Sequence, residues 1–304
     1  MQHEFDLINT LTKRLNAPDR SVVAGPGDDC ACVQIGGELL LISNDEQIED
    51  RHFKRHFPAH GVGYKLIAAN VSDILACGGL PKWVNLSLTL PGDLDQTWVE
   101  ALYDGIAKAC ETFGVSVTGG NTAASDRLHI GAFILGSATR FVPRSGARPG
   151  DALMISAPLG LSRAGLEKLL EGDAAHPLAQ HHLYPAPPLH LQPFIAAHAT
   201  AAIDISDALA GDLGHMMAQS GAGFRIDRPD RLYARELVDF LGSEALALEY
   251  ALYGGEAYQL AFTLPQASVK EAESLGCLLI GEATQEAGLF LHETAIAPKG
   301  FEHF

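Results

Sequence analysis

The stretch Asn-Val-Ser-Asp-Ile-Leu-Ala-Cys-Gly-Gly-Leu-Pro at residues 70–81 places a carboxylate, Asp73, near the end of an otherwise apolar segment. Apolar residues recur at helical spacing over residues 61–77, and the two glycines followed by Pro81 predict where this helix ends. Burying an unpaired charge costs several kcal/mol, so Asp73 needs a cation nearby. That cation is either a metal ion or a lysine or arginine, and these residues alone leave both explanations open.

Further motifs that combine polar oxygen-bearing side chains with glycine lie along almost the whole chain. They are Gly-Asp-Asp at residues 27–29, Ser-Asn-Asp at 43–45, Gly-Gly-Asn-Thr at 119–122, Asp-Ile-Ser-Asp at 204–207 and Gly-Gly-Glu at 254–256. Oxygen atoms are the ligands that Mg²⁺ takes, and glycine lets the backbone approach a phosphate. Two carboxylates 4 Å apart repel by about 4 kcal/mol at an effective dielectric constant near 20. If the motifs meet in space, they predict a pocket that needs divalent cations and a phosphorylated ligand.

Taken one at a time, each motif also has an ordinary structural explanation. Glycine–aspartate pairs are typical of turns, and residues 119–122 are expected to form a glycine turn after a strand. Ser206 is expected to cap a helix that has Asp207 in its first turn. That reading is compatible with a phosphate site, because a helix N-terminus binds phosphate. The segment at 119–122 is not a Walker A loop, since no Gly-Lys-Ser/Thr follows it.

The composition describes a chain with enough apolar material for large cores and a strongly acidic balance. Of its 304 residues 47% are hydrophobic, and the formal net charge is −16. Such a charge argues against nucleic acid or an anionic membrane as a partner. It fits a protein that concentrates metal cations, to which a ligand such as ATP comes with Mg²⁺ already bound.

Cysteine usage and the N-terminus predict a cytoplasmic protein. The five cysteines contain no Cys-x-x-Cys pair, which favours buried, reduced thiols. Residues 1–5 lack a basic region followed by an apolar stretch, so no signal peptide is expected. Nor does any apolar run approach the roughly 18 residues of a membrane-spanning helix.

The pattern of elements predicts an α+β fold over a doubly wound sheet, in two domains. Residues 144–150 are basic and rich in Gly and Pro, and they are the predicted boundary between domains 1–143 and 144–304. Helices are predicted over residues 5–16, 61–77, 94–113, 161–171, 187–198, 207–219 and 266–275. Strands are predicted over residues 33–35, 38–43, 84–90, 115–118, 128–141, 151–157, 201–205, 223–227, 258–264 and 277–281, with a hairpin turn at Gly36-Gly37.

In this order, the motifs resemble those of the thiamine-monophosphate kinase family, a branch of the aminoimidazole ribonucleotide synthetase-like superfamily. The matching segments are residues 27–29, 43–45, 51–53, 70–81, 119–122, 144–151, 204–209 and 254–260, and the likeness covers roughly residues 5–304. The resemblance implies two α/β domains whose N-terminal sheets pair across a homodimer. It also implies that ATP lies in the groove between the domains.

The resemblance further implies a reaction and a role for each motif residue. The implied reaction transfers the γ-phosphoryl group of ATP to thiamine monophosphate, with Mg²⁺, and gives thiamine diphosphate and ADP. Positioning and charge neutralisation matter more in such a transfer than a protein nucleophile. The implied metal ligands are Asp29, Ser43, Asn44, Asp45, Asp73, Asp204 and Asp207, of which Asp45, Asp73 and Asp207 are also the catalytic candidates. The implied nucleotide contacts are Gly120, Asn121, Arg144 and Ser206, and the implied substrate contacts are His52 and Glu256.

Several positions depart from the family pattern. They are Asn121 for Asp, Ala208 for Gly, Ala257 and Gln259 for two acids, residues 184–188 without the two arginines of Arg-Pro-x-Pro-Arg, and Pro298 for an aromatic residue before the closing Lys-Gly. These departures leave two alternatives open. One is a paralogous kinase that acts on a different small molecule, such as another phosphorylated heterocycle, and the other is a catalytically silent nucleotide-binding dimer. A hydrogenase-maturation protein of this fold fits less well, because it would end in a reactive cysteine and this chain ends in His303 and Phe304.

Overall fold

The computed structural model describes residues 4–15 and 19–301, so the last three residues, 302–304, lie outside it. The helices are α1 (Glu4–Thr12), α2 (Ala59–Ala76), α3 (Gln96–Phe113), α4 (Leu161–Leu170), α5 (Ala179–Leu183), α6 (Gln192–His198), α7 (Leu209–Ser220), α8 (Arg235–Leu241), α9 (Glu244–Tyr253) and α10 (Val269–Ser274). The strands are β1 (Val22–Ala24), β2 (Ala31–Ile35), β3 (Glu38–Ile48), β4 (Leu80–Leu90), β5 (Ser116–Ala124), β6 (His129–Ala138), β7 (Ala152–Ile155), β8 (Ala201–Ile205), β9 (Gly223–Ile226), β10 (Gln259–Leu264), β11 (Leu278–Thr284), β12 (Leu289–Leu291) and β13 (Thr294–Ile296). The predicted α+β class is confirmed.

The first sheet has six strands in the order β1-β2-β3-β6-β4-β5. The predicted hairpin at Gly36 and Gly37 joins β2 to β3, and both glycines have the positive φ that such a turn requires. Asp45 on β3 lies opposite Ala132 on β6, which in turn pairs with Leu86 on β4. Leu86 pairs with Gly120 on β5. The segments 43–45 and 119–122 therefore lie at one level of this sheet, but three strands apart.

The second sheet has seven strands in the order β13-β12-β9-β11-β7-β10-β8. Its pairings are antiparallel except for that of β9 with β12, and in the first sheet only β4 and β5 are parallel. A doubly wound sheet consists mostly of parallel strands, so that expectation was wrong. The first sheet ends at residue 138 and the second begins at 152. The division at 143/144 stays a prediction.

Helix α2 packs against both sheets and carries the opening motif. It contacts β3, β4 and β6 of the first sheet and β8 and β10 of the second, and all but two of its 18 residues are buried. It also packs tightly on α3, where glycine is required. A Cβ atom on Gly63 would lie 2.1 Å from the carbonyl oxygen of Leu102, and one on Gly105 would lie 1.9 Å from that of His60. Polar side chains on α2 are therefore buried between the two sheets.

The start of α7 differs from the prediction. The helix begins at Leu209 with Ala208 as its N-cap at φ 142°, and no side chain caps it. Ser206 is not the cap, because its hydroxyl faces Asp204 at 3.4 Å. The carboxylate of Asp212 accepts a hydrogen bond from the Ala208 N–H at 3.1 Å instead. It thereby satisfies one of the free N–H groups of the first turn.

The segment 119–122 also differs from the prediction, because it lies inside β5 and not in a turn after it. The pairing of β4 with β5 shifts by one residue between Val84 and Asn85, where Gly119 has φ 148°. A Cβ on Gly120 would lie 2.6 Å from the carbonyl oxygen of Leu86. The glycines thus allow a bulge and a close strand contact. None of the helices in the described part of the chain has the length and apolarity that crossing a bilayer requires.

Candidate active site

Three carboxylates from distant parts of the chain meet beside α2. Asp29 precedes β2, Asp73 lies on α2, and Asp204 lies on β8. One carboxylate oxygen from each lies within 4.8 Å of those of the other two. Burial raises the pKa of Asp73 and of Asp204 well above the usual range, and the neighbouring carboxylates raise both further. Carboxylates of three of the acidic motifs therefore meet in space, and they form what we call the carboxylate cluster.

Serine hydroxyls orient two members of this cluster. Ser43 Oγ donates a hydrogen bond to Asp73 Oδ2 at 2.5 Å, and Ser72 Oγ donates one to Asp204 Oδ2 at 2.6 Å. Each serine comes from a different element than its carboxylate partner. The bonds therefore connect β3 to α2 and α2 to β8.

Arg144 neutralises the cluster only in part. Its guanidinium pairs with Asp29 Oδ1, and its backbone N–H donates to Asp28 Oδ2 at 3.1 Å. Burial and then Asp29 raise the pKa of Asp28 to about 6 in spite of Arg144. Asp29 Oδ2 is buried and has no hydrogen-bond partner within residues 4–15 and 19–301. The sequence left open whether a basic residue or a metal accompanies these carboxylates. Arg144 is one such basic residue, but it leaves the Oδ2 atom of Asp29 without a partner.

The donor set fits a hard divalent cation. The cluster offers carboxylate oxygens, one of them unpaired, and Mg²⁺ prefers oxygen ligands. Several buried carboxylates at one point repel each other unless a cation lies between them. Asp29, Asp73 and Asp204 are therefore the residues best placed to hold Mg²⁺.

Asp45 lies at the edge of the cluster, where an open cleft begins. Its backbone N–H donates to Asn70 Oδ1 at 3.2 Å, which fixes β3 against α2. Burial and then the charge of Asp29 raise the pKa of Asp45 to about 6. Asn44 is exposed beside it, and both residues line the cleft.

The cleft has a volume of about 940 Å³ and is lined from both halves of the chain. Pockets of this size accommodate drug-sized ligands. The predicted site residues that line it are Asn44, Asp45, His52, Ser206, Asp207 and Glu256. The turn after β8 forms one side: the carbonyl of Ser206 accepts from the Glu256 N–H at 2.7 Å, and that of Asp207 accepts from the Phe301 N–H at 3.0 Å.

The two predicted substrate contacts are held by different partners. His52 Nδ1 accepts a hydrogen bond from the Ile48 N–H at 3.0 Å. Glu256 forms an ion pair with Lys65, whose Nζ lies 2.5 Å from Glu256 Oε1. Lys65 was not among the predicted site residues. Its charge on the same apolar helix as Asp73 is the sequence feature that indicates it.

Phe301 places an aromatic ring in the cleft. The guanidinium of Arg51 lies 4.6 Å from its ring centroid, and the residue is 45% exposed. Pro298, noted above for a missing aromatic residue, packs against Gly214, where a Cβ atom would lie 2.8 Å from the proline Cβ. The chain thus has an aromatic residue at the cleft, three positions after Pro298.

Gly120 and Asn121, two of the predicted nucleotide contacts, lie far from the carboxylate cluster. They lie on β5, three strands and therefore about 14 Å from β3. β5 is the outer strand of its sheet, and all nine of its residues are exposed.

Two of the places where the chain departs from the family pattern, residues 184–188 and the pair Ala257 and Gln259, lie next to each other. Ala257 and Gln259 line a second cavity of about 270 Å³ together with Tyr184, Pro185 and Ala186. Gln259 Nε2 donates a hydrogen bond to the carbonyl of Ala186 at 2.9 Å. This contact joins two uncharged groups. Ala257, Gln259 and residues 184–188 do not line the cleft that holds the predicted acceptor contacts, although Tyr258, between Ala257 and Gln259, does line it.

Known proteins resemble this chain in sequence. Residues 27–138 match the family model of the AIR synthase related protein, N-terminal domain. The thiamine-monophosphate kinase of Aquifex aeolicus (strain VF5) is 39% identical over 307 residues, which cover 99% of this chain and 98% of that protein. The protein of the same name from Escherichia coli (strain K12) is 34% identical over 322 residues, with 99% and 98% covered.

Solved structures extend the comparison to the fold. AaThiL complexed with AMPPCP and TMP matches with a TM-score of 0.90 and 39% identity, covering 99% of this chain and 97% of that one. The hydrogenase maturation protein HypE of E. coli matches with a TM-score of 0.70 at 18% identity, and so shares the fold alone. The resemblance found in the motifs is confirmed. From its full-length identity to these relatives and from its fold, the chain belongs to the thiamine-monophosphate kinase family.

Proposed function

We propose that this protein transfers the γ-phosphoryl group of ATP to thiamine monophosphate, giving thiamine diphosphate and ADP. The observation that carries the proposal is one cleft, lined by His52, Glu256 and Phe301, that reaches Asp45 and Ser206 beside the carboxylate cluster. Relatives that are 39% and 34% identical are named for this activity. A structure at 39% identity holds AMPPCP, a non-hydrolysable ATP analogue, together with TMP.

The proposed cofactor is Mg²⁺. Its proposed ligands are Asp29, Ser43, Asn44, Asp45, Asp73, Asp204 and Asp207, which lie in the carboxylate cluster or along the adjoining cleft. Mg²⁺ bound there neutralises phosphate charge, on which phosphoryl transfer depends. The unpaired oxygen of Asp29 supports this assignment.

The remaining site residues bind and orient the two reactants. Arg144 and Ser206 both lie near Asp204 and are proposed to contact nucleotide phosphate. His52 and Glu256 are proposed to hold the acceptor. The acceptor phosphate supplies the attacking oxygen, so no strong base is needed; its bond to the γ-phosphorus forms as the bond from that phosphorus to the leaving ADP oxygen breaks.

A panel of acceptors tests the substrate assignment. Thiamine monophosphate, thiamine and other phosphorylated heterocycles are compared at equal ATP and millimolar Mg²⁺. We expect thiamine monophosphate to exceed every other acceptor by at least about tenfold in kcat/KM, since each extra contact adds about 1–3 kcal/mol of discrimination. A different preferred acceptor would overturn the assignment and favour the paralogous kinase.

Removal of the Phe301 ring is expected to weaken acceptor binding selectively. Phe301→Ala should raise KM for thiamine monophosphate about 2–13-fold and leave KM for ATP unchanged, because a lost aromatic contact is worth about 0.5–1.5 kcal/mol. Phe301→Tyr keeps the ring and serves as the matched control. Steady-state kinetics with each substrate varied in turn checks this. Equal changes in both KM values would contradict it.

We also infer that the protein is a homodimer that pairs through the first sheet. β5 is a fully exposed outer strand, and the same sheet exposes Trp83, Val117 and Phe133 by 41%, 48% and 41%. An unpaired strand edge beside exposed apolar side chains is suited to pairing with a second sheet. In such a dimer the partner's Asn121 approaches the site that Asn121 of the same chain does not reach.

Mixed dimers test this arrangement. We expect Asp73→Asn and Asn121→Leu homodimers to be impaired, and their equimolar mixture to regain about a quarter of the wild-type activity, because half of the dimers then contain one intact site. The matched control mixes Asp73→Asn with Asp204→Asn, in which no hybrid has an intact site. Unchanged activity after verified subunit exchange would contradict a shared site.

A cytoplasmic location is the last part of the proposal. All five cysteines are buried, unpaired thiols. Burial raises the pKa of Cys77 to about 12 and that of Cys110 to about 11, so both stay protonated and unreactive at neutral pH. Such thiols are typical of a protein of a reducing compartment.

A further inference from the structure

A fully buried lysine lies in the middle of α2, where its ammonium group has three partners. The Lys65 side chain is 1% exposed. Its Nζ lies 2.5 Å from Glu256 Oε1 and 2.9 Å from His182 Nε2, and it donates to the backbone carbonyl of His52 at 3.4 Å. An ammonium group has three N–H donors, so these three acceptors match its capacity.

His182 takes part in this network as a neutral acceptor. Burial and then the charge of Lys65 lower the pKa of His182 to about 3. Since Nε2 accepts from Lys65, the ring proton is on Nδ1, which lies 3.2 Å from Ser162 Oγ. His182 therefore adds no second positive charge, and Lys65 pairs one to one with Glu256.

One face of α2 connects the Lys65–Glu256 ion pair to the carboxylate cluster. Lys65, Ala69 and Asp73 are spaced by four residues, which places them on one side of a helix. Asp73 belongs to the carboxylate cluster, and Ala69 lines the cleft between the two charged residues. Since Lys65 and Glu256 are 191 residues apart, their ion pair also joins the two halves of the chain.

The loop that carries Glu256 needs such an anchor. Glu256 and Tyr258 have φ values of 58° and 51°, in the region that non-glycine residues rarely adopt. A conformation of this kind persists where surrounding contacts impose it. The Glu256 side chain is 25% exposed, and it lines the cleft while Lys65 and His182 face its buried side.

We propose that Lys65 is a positioning residue, which fixes the Glu256 carboxylate at the acceptor end of the cleft. The proposal rests on the proposed function, because the acceptor is the ligand that Glu256 is expected to contact. Lys65 itself lies beneath Glu256 and acts through it. Its effect should therefore fall on the acceptor and not on ATP.

The test is a double-mutant cycle with Lys65→Met, Glu256→Gln and the double variant, read as the KM values for thiamine monophosphate and ATP. We expect Lys65→Met to raise KM for thiamine monophosphate by about tenfold or more, because a misplaced contact weakens binding, and to change KM for ATP by less than about twofold. The double variant should lose no more acceptor affinity than Glu256→Gln alone. Lys108→Met, at an exposed lysine paired with Glu111 at 2.7 Å, is the matched control.

Three outcomes would overturn the proposal: an unchanged KM for thiamine monophosphate, multiplicative losses in the double variant, or equal rises in both KM values. A lysine with a merely structural role would give the last two. Should Lys65→Met not fold, the double variant compared with Glu256→Gln carries the same test, because it leaves neither charge buried alone. If the wild-type protein does not turn over thiamine monophosphate, the proposed function is rejected together with this inference. If the wild type is active but the losses in the double variant are multiplicative, only the inference is rejected.

Discussion

Asp73→Asn is expected to lower kcat/KM by about 10³-fold, which corresponds to about 4 kcal/mol of transition-state stabilisation. Asp73 is the member of the carboxylate cluster that faces Asp29, Asp204 and the hydroxyl of Ser43. An amide oxygen can replace its hydrogen-bond acceptor but not its charge. The loss should therefore fall on the step that depends on charge neutralisation.

The same substitution is expected to stabilise the protein when no metal is present. Burial and then the charges of Asp45 and Asp204 raise the pKa of Asp73, which means that its ionised form destabilises the fold. Asn removes that charge and can still accept the bond from Ser43. We expect a gain of about 1–2 kcal/mol at pH 8, less than the full repulsion between two close carboxylates.

Kinetics with ATP and thiamine monophosphate, together with urea unfolding in a chelator, measure both effects. Asp104→Asn, an exposed acid on α3, is the control and should change neither quantity by much. A variant Asp73→Asn with full activity would contradict the role of Asp73 in the active site. An inactive variant that is also less stable would show a structural role instead.

In the absence of divalent cations, Asp45 and Asp28, which lie beside the carboxylate cluster, are expected to contribute less stability at pH 8 than at pH 5. Burial and then Asp29 raise the pKa of Asp45 and of Asp28 from 3.8 to about 6. A group whose pKa is higher in the folded state contributes stability at low pH that is lost as pH rises through the folded value. The loss therefore falls between pH 3.8 and about 6. Burial raises the pKa of Glu256, but the ion pair with Lys65 outweighs burial and lowers the value to about 2, so Glu256 does not titrate in this window. His182, whose pKa burial lowers from 6.5 to about 3, acts in the opposite direction as pH rises, so the carboxylate effect is read as the Mg²⁺-dependent shift.

Mg²⁺ should reverse this loss, because it binds the deprotonated carboxylates. At 100 times its Kd a cation adds about 2.7 kcal/mol, which is a rise of roughly 4 °C in Tm for a chain of this size. Melting curves at pH 5 and pH 8, with chelator or with Mg²⁺, measure the shift. It should be larger at pH 8 and much reduced in Asp73→Asn. A shift that is independent of pH and of this substitution would place the metal elsewhere.

The sequence predicted the parts of the site that are governed by local pattern. The apolar period of α2 and the glycines after it located the helix, and a carboxylate in that setting required a cation. The structure supplies Arg144 beside Asp29 and leaves one buried oxygen for a metal. Arg144 thus pairs with Asp29 and Asp28, whereas Asp73 faces other carboxylates, and this arrangement favours the metal as its partner.

Other parts depend on contacts between residues far apart in the chain, which no local pattern records. Lys65 and Glu256 are 191 residues apart, and neither has a neighbour in sequence that indicates the other. Ser206 is typical of a helix cap in the sequence, but in the structure its hydroxyl faces Asp204. The glycines at 119 and 120 are typical of turns as well as of bulged strands, and only the pairing with β4 decides between them.

Transfer of an isotopically labelled γ-phosphate tests the central claim most directly. Purified protein is incubated with γ-labelled ATP, thiamine monophosphate and Mg²⁺, and the products are separated. We predict that the label appears in thiamine diphosphate in a one-to-one ratio with ADP, and that a chelator abolishes the transfer. Label found only in free phosphate, or no turnover at millimolar Mg²⁺, would contradict the account.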